Sequence, residues 1–282
     1  TALESVKLPS MLSRIEFDLF SLCENLKSIE LPGTLTYIGE RSFRGCPLTE
    51  ISIPDSVTSI GEMAFSLTKI QSIKLPSAIE NIGDYAFSNC WRLESINIPS
   101  NLSRIGKYAF DGSGGLENIT IPSKLTQIGD YAFSGSSLKS VIFPNTVTSI
   151  GKGAFSGSSL KSVIIPDSVT SIGEYAFSET GLESVVLSNS LTNIEDFAFS
   201  DCKSLVRIVI PDSVKTISNA AFSSCTSLTS VLITKNVTSI GDYAFNNCAK
   251  IKTVFYTGSE SQWNTISFHN KNECLTNANI IN

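Results

Sequence analysis

The stretch LKSVIIPDSVTSIGEYAFS, residues 160–178, decides the fold. Its Val163, Ile164 and Ile165 form a short β-branched run closed by Pro166, which reads as a strand of the length that parallel stacking tolerates. Proline ends the run because it has no N–H to give a neighbouring ladder. Val169 to Ile172 reads as a second extended segment, and Gly173 as a position where the chain bends sharply and a Cβ would clash. Ala176 and Phe177 then turn the corner, the small residue permitting close approach and the ring filling the interior.

Working outward, the same wording recurs along the whole chain. Aligning on Phe20, Phe43, Phe65, Phe87, Phe110, Phe133, Phe155, Phe177, Phe199, Phe222 and Phe245 gives spacings of 22 or 23 residues throughout. The extra residue of the longer units always falls between the Phe and the next Leu. That segment is therefore a loop, since an insertion in a ladder would flip the side chains after it. One such unit cannot bury its apolar side alone, so successive units must stack and share a continuous core. The expected architecture is a mostly β repeat solenoid: a right-handed leucine-rich-repeat superhelix of 22–23-residue units with short parallel strands and few short helical turns. Some units depart from the pattern. Ser188 and Thr234 replace the Pro, while Glu16, Glu195 and Ser218 stand at the Gly position.

The expected organisation is a repeat region over 1–256 in about eleven units and a C-terminal cap over 257–282. Thr1 and Ala2 lead directly into a repeat, so the chain reads as a trimmed piece. After Tyr256 the rhythm changes, and Gly258 to Trp263 reads as a short helix with Ser259 at its N-cap and Glu260 or Gln262 in the first turn. Trp263 and Ile266 are expected to plug the open end of the stack.

These residues closely resemble the BspA-like, or treponemal-type, leucine-rich repeat family. The likeness covers about 1–256 through wording of the type IPxSVTSIGxYAFS, and the tail from Tyr256 to Ile266 resembles an ending common in such proteins from gut Firmicutes. The resemblance implies a cell-surface or secreted bacterial protein, and some members are adhesins for host matrix or microbial surface proteins. Its matched positions are structural, so no ligand residue carries over.

Composition narrows the function. The net charge of −5 offers no basic footprint for nucleic acid or anionic lipid. No apolar run approaches the length that crosses a bilayer. His269, the sole histidine, falls in the cap among Asn and Lys. Carboxylate pairs such as Glu195 and Asp196 read as exposed, and the glycines form no phosphate-cradling loop. No catalytic residue, metal site or cofactor is therefore expected. Cys23, Cys46, Cys90, Cys202, Cys225 and Cys248 all sit three residues after the stacked Phe and read as buried thiols behaving as small hydrophobes. Cys274 reads as a free thiol.

Two surface columns are candidate sites. The outward residue of each first strand is Lys7, Glu30, Ser52, Lys74, Asn97 and Thr120, then Ile142, Ile164, Val186, Val209, Leu232 and Phe255. The second six are a continuous apolar stripe, flanked by the small polar row Ser140, Ser162, Ser184, Arg207, Ser230 and Thr253. Monomers usually hide or use such a patch, so the stripe is the expected site for a protein partner or for self-association. The second column precedes Ala-Phe: Tyr85, Tyr108, Tyr131, Tyr175, Phe197 and Tyr243. It is expected to be a ridge of stacked rings shielding the corner, with a glycan-binding track as the alternative.

Overall fold

The structure, a computed structural model, describes residues 3–282; Thr1 and Ala2 of the expected repeat region lie outside the described residues. The chain forms two compact units, 1–141 and 142–282. Both are built from short parallel strands paired in register from one turn to the next.

In the first unit, Arg14–Ile15, Tyr37–Ile38, Ser59–Ile60, Asn81–Ile82 and Arg104–Ile105 form one five-stranded sheet, while Ser72–Lys74 pairs with Ser95–Asn97 on another side of the stack. In the second unit, Asn193–Ile194, Thr216–Ile217, Ser239–Ile240 and Ser267–Phe268 make one ladder. Arg207–Val209, Ser230–Ile233, Thr253–Tyr256 and Asn279–Ile281 make a second, while Ser162–Ile164 pairs with Ser184–Val186 and Ser149–Ile150 with Ser171–Ile172 in separate sheets. Every pairing joins residues 22 to 28 apart, so like stacks on like.

The interior is a column of rings. In the first unit Phe20, Phe43, Phe65, Phe87, Phe110 and Phe133 stack at 5.4–5.5 Å, and in the second Phe155, Phe177, Phe199, Phe222 and Phe245 stack at 5.1–5.4 Å. Most are fully buried, beside columns of Ile, Leu and Val.

The glycine of the repeat serves a different purpose from the bend expected of it. A Cβ on Gly173 would stand 2.6 Å from the Lys152 amide nitrogen, and one on Gly83 2.6 Å from the Gly61 carbonyl carbon. Neither residue has a left-handed backbone. In these turns the residue is glycine because the backbone of the preceding turn passes too close for a Cβ.

The sharp bends lie further on, and there are two per turn. One is the residue before Ala-Phe, for example Tyr85 (φ 56°), Tyr108 (55°) and Tyr175 (59°); the other lies four residues later, at Asn89 (55°), Gly112 (67°) and Glu179 (59°). A left-handed non-glycine residue costs roughly 1–2 kcal/mol. The bends persist because they aim alternate amides along the stack. Tyr85, Phe87 and Asn89 donate to the carbonyls of Lys107, Ala109 and Asp111 at 2.8, 2.8 and 2.6 Å.

The segment from 257 onward extends the two longer ladders of the second unit with Ser267–Phe268 and Asn279–Ile281. Between 256 and 267 lies the expected helix, Glu260–Trp263, with Ser259 as N-cap in a capping box with Gln262. Trp263 and Ile266 are buried, and Trp263 packs edge-on against Tyr256 at 5.2 Å. Leu275 is fully buried. The residue that sequence reading missed is Asn272. Its Oδ1 accepts the Phe245 amide at 3.1 Å, where interior turns offer an alanine carbonyl, and its Nδ2 donates to the Gly241 and His269 carbonyls at 2.8 and 3.0 Å. One side-chain amide thus stands in for the backbone of a further turn.

Candidate functional site

The strand face of the second unit carries the apolar stripe. Ser162–Ile164 pairs with Ser184–Val186, which places Ile164 beside Val186; in a separate sheet Val209, Leu232 and Phe255 lie in register with one another. Inward neighbours such as Val163, Ile165, Ile208 and Val231 are buried, so strand alternation turns the middle residue outward. Ile142 is 84% exposed, Ile164 68%, Val186 57%, Val209 53% and Phe255 42%, while Leu232 is half-buried. The final strand lengthens the row, because Ile281 pairs with Phe255 and is 43% exposed. Sequence reading stopped at Phe255 because the last strand is offset by 26 residues and lies outside the repeat. The flanking Ser162, Ser184 and Ser230 are too short to cover the row, and Arg207 is the one charge among them.

The first unit presents a different face at the same repeat position. Lys7, Glu30, Ser52 and Lys74 line a shallow cleft of about 1250 Å³ with Pro32, Pro54 and Pro76. All four outward residues are polar and exposed. The apolar character belongs to the second unit alone.

The tyrosine column is a stack of rings. Tyr85 and Tyr108 lie 4.6 Å apart at 3°, Tyr108 and Tyr131 4.7 Å at 8°, and Tyr175 and Phe197 4.7 Å at 6°. Each is half-buried, whereas Tyr243 is exposed. The stacked faces cover one another and leave edges and hydroxyls to solvent. Burial, with the charge of the next ring and of nearby carboxylates, raises the pKa of Tyr85 and Tyr108.

The cysteine column is buried and free, and it does more than fill space. The thiols of Cys46, Cys90, Cys202, Cys225 and Cys248 donate to the carbonyls of Phe20, Phe65, Phe177, Phe199 and Phe222 in the preceding turn, at 2.9–3.2 Å. Ser113 makes the same bond to Phe87 at 3.0 Å, whereas the hydroxyls of Ser136 and Ser158, at the same position, are buried and have no hydrogen-bond partner. Burial pushes Cys46 and Cys90 up to about 11, far from thiolate chemistry. Cys274 is half-buried and free. Among the described residues no group of three or more His, Cys, Asp or Glu is placed to hold a metal ion. His269 is exposed. Glu195 and Asp196 are half-buried rather than exposed, and Asp196 accepts the Asn219 amide at 2.8 Å, so it serves the stack.

The repeat matches a family model described as the BspA type leucine rich repeat region, in six copies over residues 1–117, 104–179 and 148–275. This chain belongs to that family. No curated protein sequence is significantly similar to it. Among solved structures, this BspA-type chain is similar to a leucine-rich repeat protein from Bacteroides ovatus at 29% identity and a TM-score of 0.67, over 95% of this chain and 83% of that one. It is also similar to a leucine rich cell surface protein from Faecalibacterium prausnitzii at 27% identity and a TM-score of 0.54, over 94% and 90% of the two chains. The pneumococcal vaccine antigen PcpA shares the fold at 20% identity and a TM-score of 0.62, over 96% of this chain and 84% of that one. No helix among the described residues is long and apolar enough to cross a membrane.

Proposed function

We propose that this BspA-type chain is a non-catalytic protein-binding module of a bacterial cell surface or secreted protein, serving adhesion to host matrix or microbial surface proteins. The observation that carries the reading is the uncovered row from Ile142 to Ile281 on the strand face of the second unit. A row of exposed branched and aromatic side chains on a regular sheet loses solvation free energy while it stays wet, at about 25 cal/mol per Å² of apolar surface. A rigid ladder presents that surface without the ordering cost of a flexible loop. The membership of the family and the cell-surface description of the Faecalibacterium relative support the setting.

Glycan binding through the tyrosine column is the weaker reading. Stacking on a sugar needs an open ring face, and Tyr85, Tyr108 and Tyr131 spend theirs on one another. The test immobilises a panel of host matrix and microbial surface proteins and a glycan array. The wild type is expected to bind a protein, Val186→Lys and Val209→Lys to lose at least tenfold, and Tyr108→Ala to keep its affinity. Sugar binding abolished by Tyr108→Ala and Tyr131→Ala, with protein binding absent, overturns the reading.

A further inference from the structure

We infer that the strand face of residues 142–281 pairs with the same face of a second copy of this chain, as a parallel two-fold dimer. The inference rests on the reading of this face as a protein-binding surface and names its partner. Three features of the second unit carry it.

The first is charge on the two sides of the stripe. Lys161, Arg207 and Lys252 lie before the apolar row in their turns with one carboxylate, Glu183, among them, and Asp167 and Asp212 lie after it with one cation, Lys235. All seven are exposed. Arg207 and Asp212 belong to one turn, on opposite sides of Val209, and among the described residues neither forms an ion pair within the chain. Lys161 and Asp167 also bracket Ile164, but both have partners within the chain: Lys161 reaches Glu183 at 3.5 Å, and the Asp167 carboxylate accepts the Asn189 amide at 2.8 Å.

The second is what a two-fold operation does to that arrangement. An axis lying in the interface and running along the stack sets each turn against the same turn of the other copy and exchanges left for right. Arg207 then meets the other copy's Asp212, Lys161 meets its Asp167, and the stripes lie on each other. An axis across the stack reverses the order of turns and sets like flank on like, with Lys161 toward Lys252. Like-charge juxtaposition across an interface is strongly disfavoured. The charges therefore select the parallel arrangement, an isologous contact that closes at two copies.

The third is area. Six intervals of about 4.8 Å from Ile142 to Ile281 give a length near 30 Å, and Arg207 to Asp212 spans about 15 Å. Each copy thus buries roughly 500–600 Å², so the pair reaches the low end of specific interfaces. A weak, reversible dimer follows, with a dissociation constant on the order of 10–100 µM. In a parallel dimer both chains run the same way, as two copies on one surface would.

Sedimentation velocity on the full chain from a few µM to about 200 µM tests this around the expected constant. The wild type is expected to shift reversibly from monomer to dimer. Val186→Lys, Arg207→Asp and Asp212→Arg should each stay monomeric, and the combined Arg207→Asp with Asp212→Arg should dimerise again. Unchanged circular dichroism melts establish that the variants fold. A wild type that is monomeric throughout overturns the inference, as does a dimer indifferent to Val186→Lys or a double reversal that fails to restore it. The protein panel is read separately: binding lost in Val186→Lys with no dimer in the wild type removes the dimer and keeps the protein-binding reading. A dimer with no panel protein bound keeps the inference and confines the partner to the chain itself.

Discussion

Glycine does two jobs in this stack, and the two kinds respond differently to the same substitution. Gly157 has φ 67°, whereas Gly173 has an ordinary backbone and a neighbour 2.6 Å from its missing Cβ. Gly157→Ala is expected to cost about 1–2 kcal/mol, with Gly157→Asn recovering much of it because asparagine tolerates the left-handed region. Gly173→Ala should cost more, and Gly173→Asn should be worse still, since the obstacle is backbone of the preceding turn. Urea titrations of the four variants check this, and rescue of Gly173 by asparagine would refute the distinction. A second residue-scale prediction concerns Asp111, which stands where most turns carry Ser. Burial raises its pKa, opposed by a hydrogen bond from Ser134. The folded chain therefore holds this proton more tightly than the unfolded chain. Its contribution is present at low pH and lost as pH rises from the ordinary carboxylate value through the raised one. Asp111→Ser should stabilise the protein at pH 7 by less than ~1 kcal/mol, allowing for solvent screening at a half-buried site, with the gain vanishing toward pH 3.5. A gain independent of pH would point to a cause other than titration.

At the scale of the element, the end of the stack hangs on Asn272. Replacing it with Ala leaves the Phe245 N–H unpaired at a buried site and removes one of the two donors to the Gly241 carbonyl, the other being the Ala244 N–H. The expected loss is about 2–3 kcal/mol, with faster hydrogen exchange at the Phe245 amide on the order of 10–100-fold. Asn272→Asp keeps an acceptor for that amide and should leave its exchange nearer the wild type while still losing the two donor bonds. Equal exchange in both variants would mean that the Oδ1 bond is unimportant. This contact also marks what the sequence could and could not reveal. Columns were legible: Phe, Ile and Leu repeat at a fixed period because each fills the same place in every turn. So was the stripe, since alternation about buried Val163 and Ile165 forces Ile164 outward. The left-handed corners were not legible, because Tyr85 or Glu179 at such a position carries none of the glycine signal that usually betrays it. Asn272 occurs once and repeats nothing, and Ile281 joins the stripe only through a strand offset from the repeat.

For the molecule as a whole, the repeat makes stability a sum over neighbours, because each turn touches only the ones beside it. Phe199 stacks on Phe177 and Phe222, both at 5.4 Å, whereas Phe20 stacks on Phe43 alone and keeps slight exposure. Phe199→Ala should cost about 4 kcal/mol and Phe20→Ala about half as much, since fewer contacts are lost and the end can relax around the gap. The two tryptophans let this be read unit by unit. Trp263 is buried in the second unit, whereas Trp91 in the first is exposed and responds little to unfolding. Phe199→Ala is expected to move the Trp263 fluorescence midpoint in urea together with the far-ultraviolet circular dichroism. Phe20→Ala should lower the early part of the circular dichroism transition and leave the Trp263 midpoint nearly in place. Such disagreement between probes is the mark of unfolding that is not two-state, and it is what nearest-neighbour stabilisation requires of a chain this long. Coincident shifts of both probes in Phe20→Ala would show instead that the 282 residues unfold as a single cooperative body.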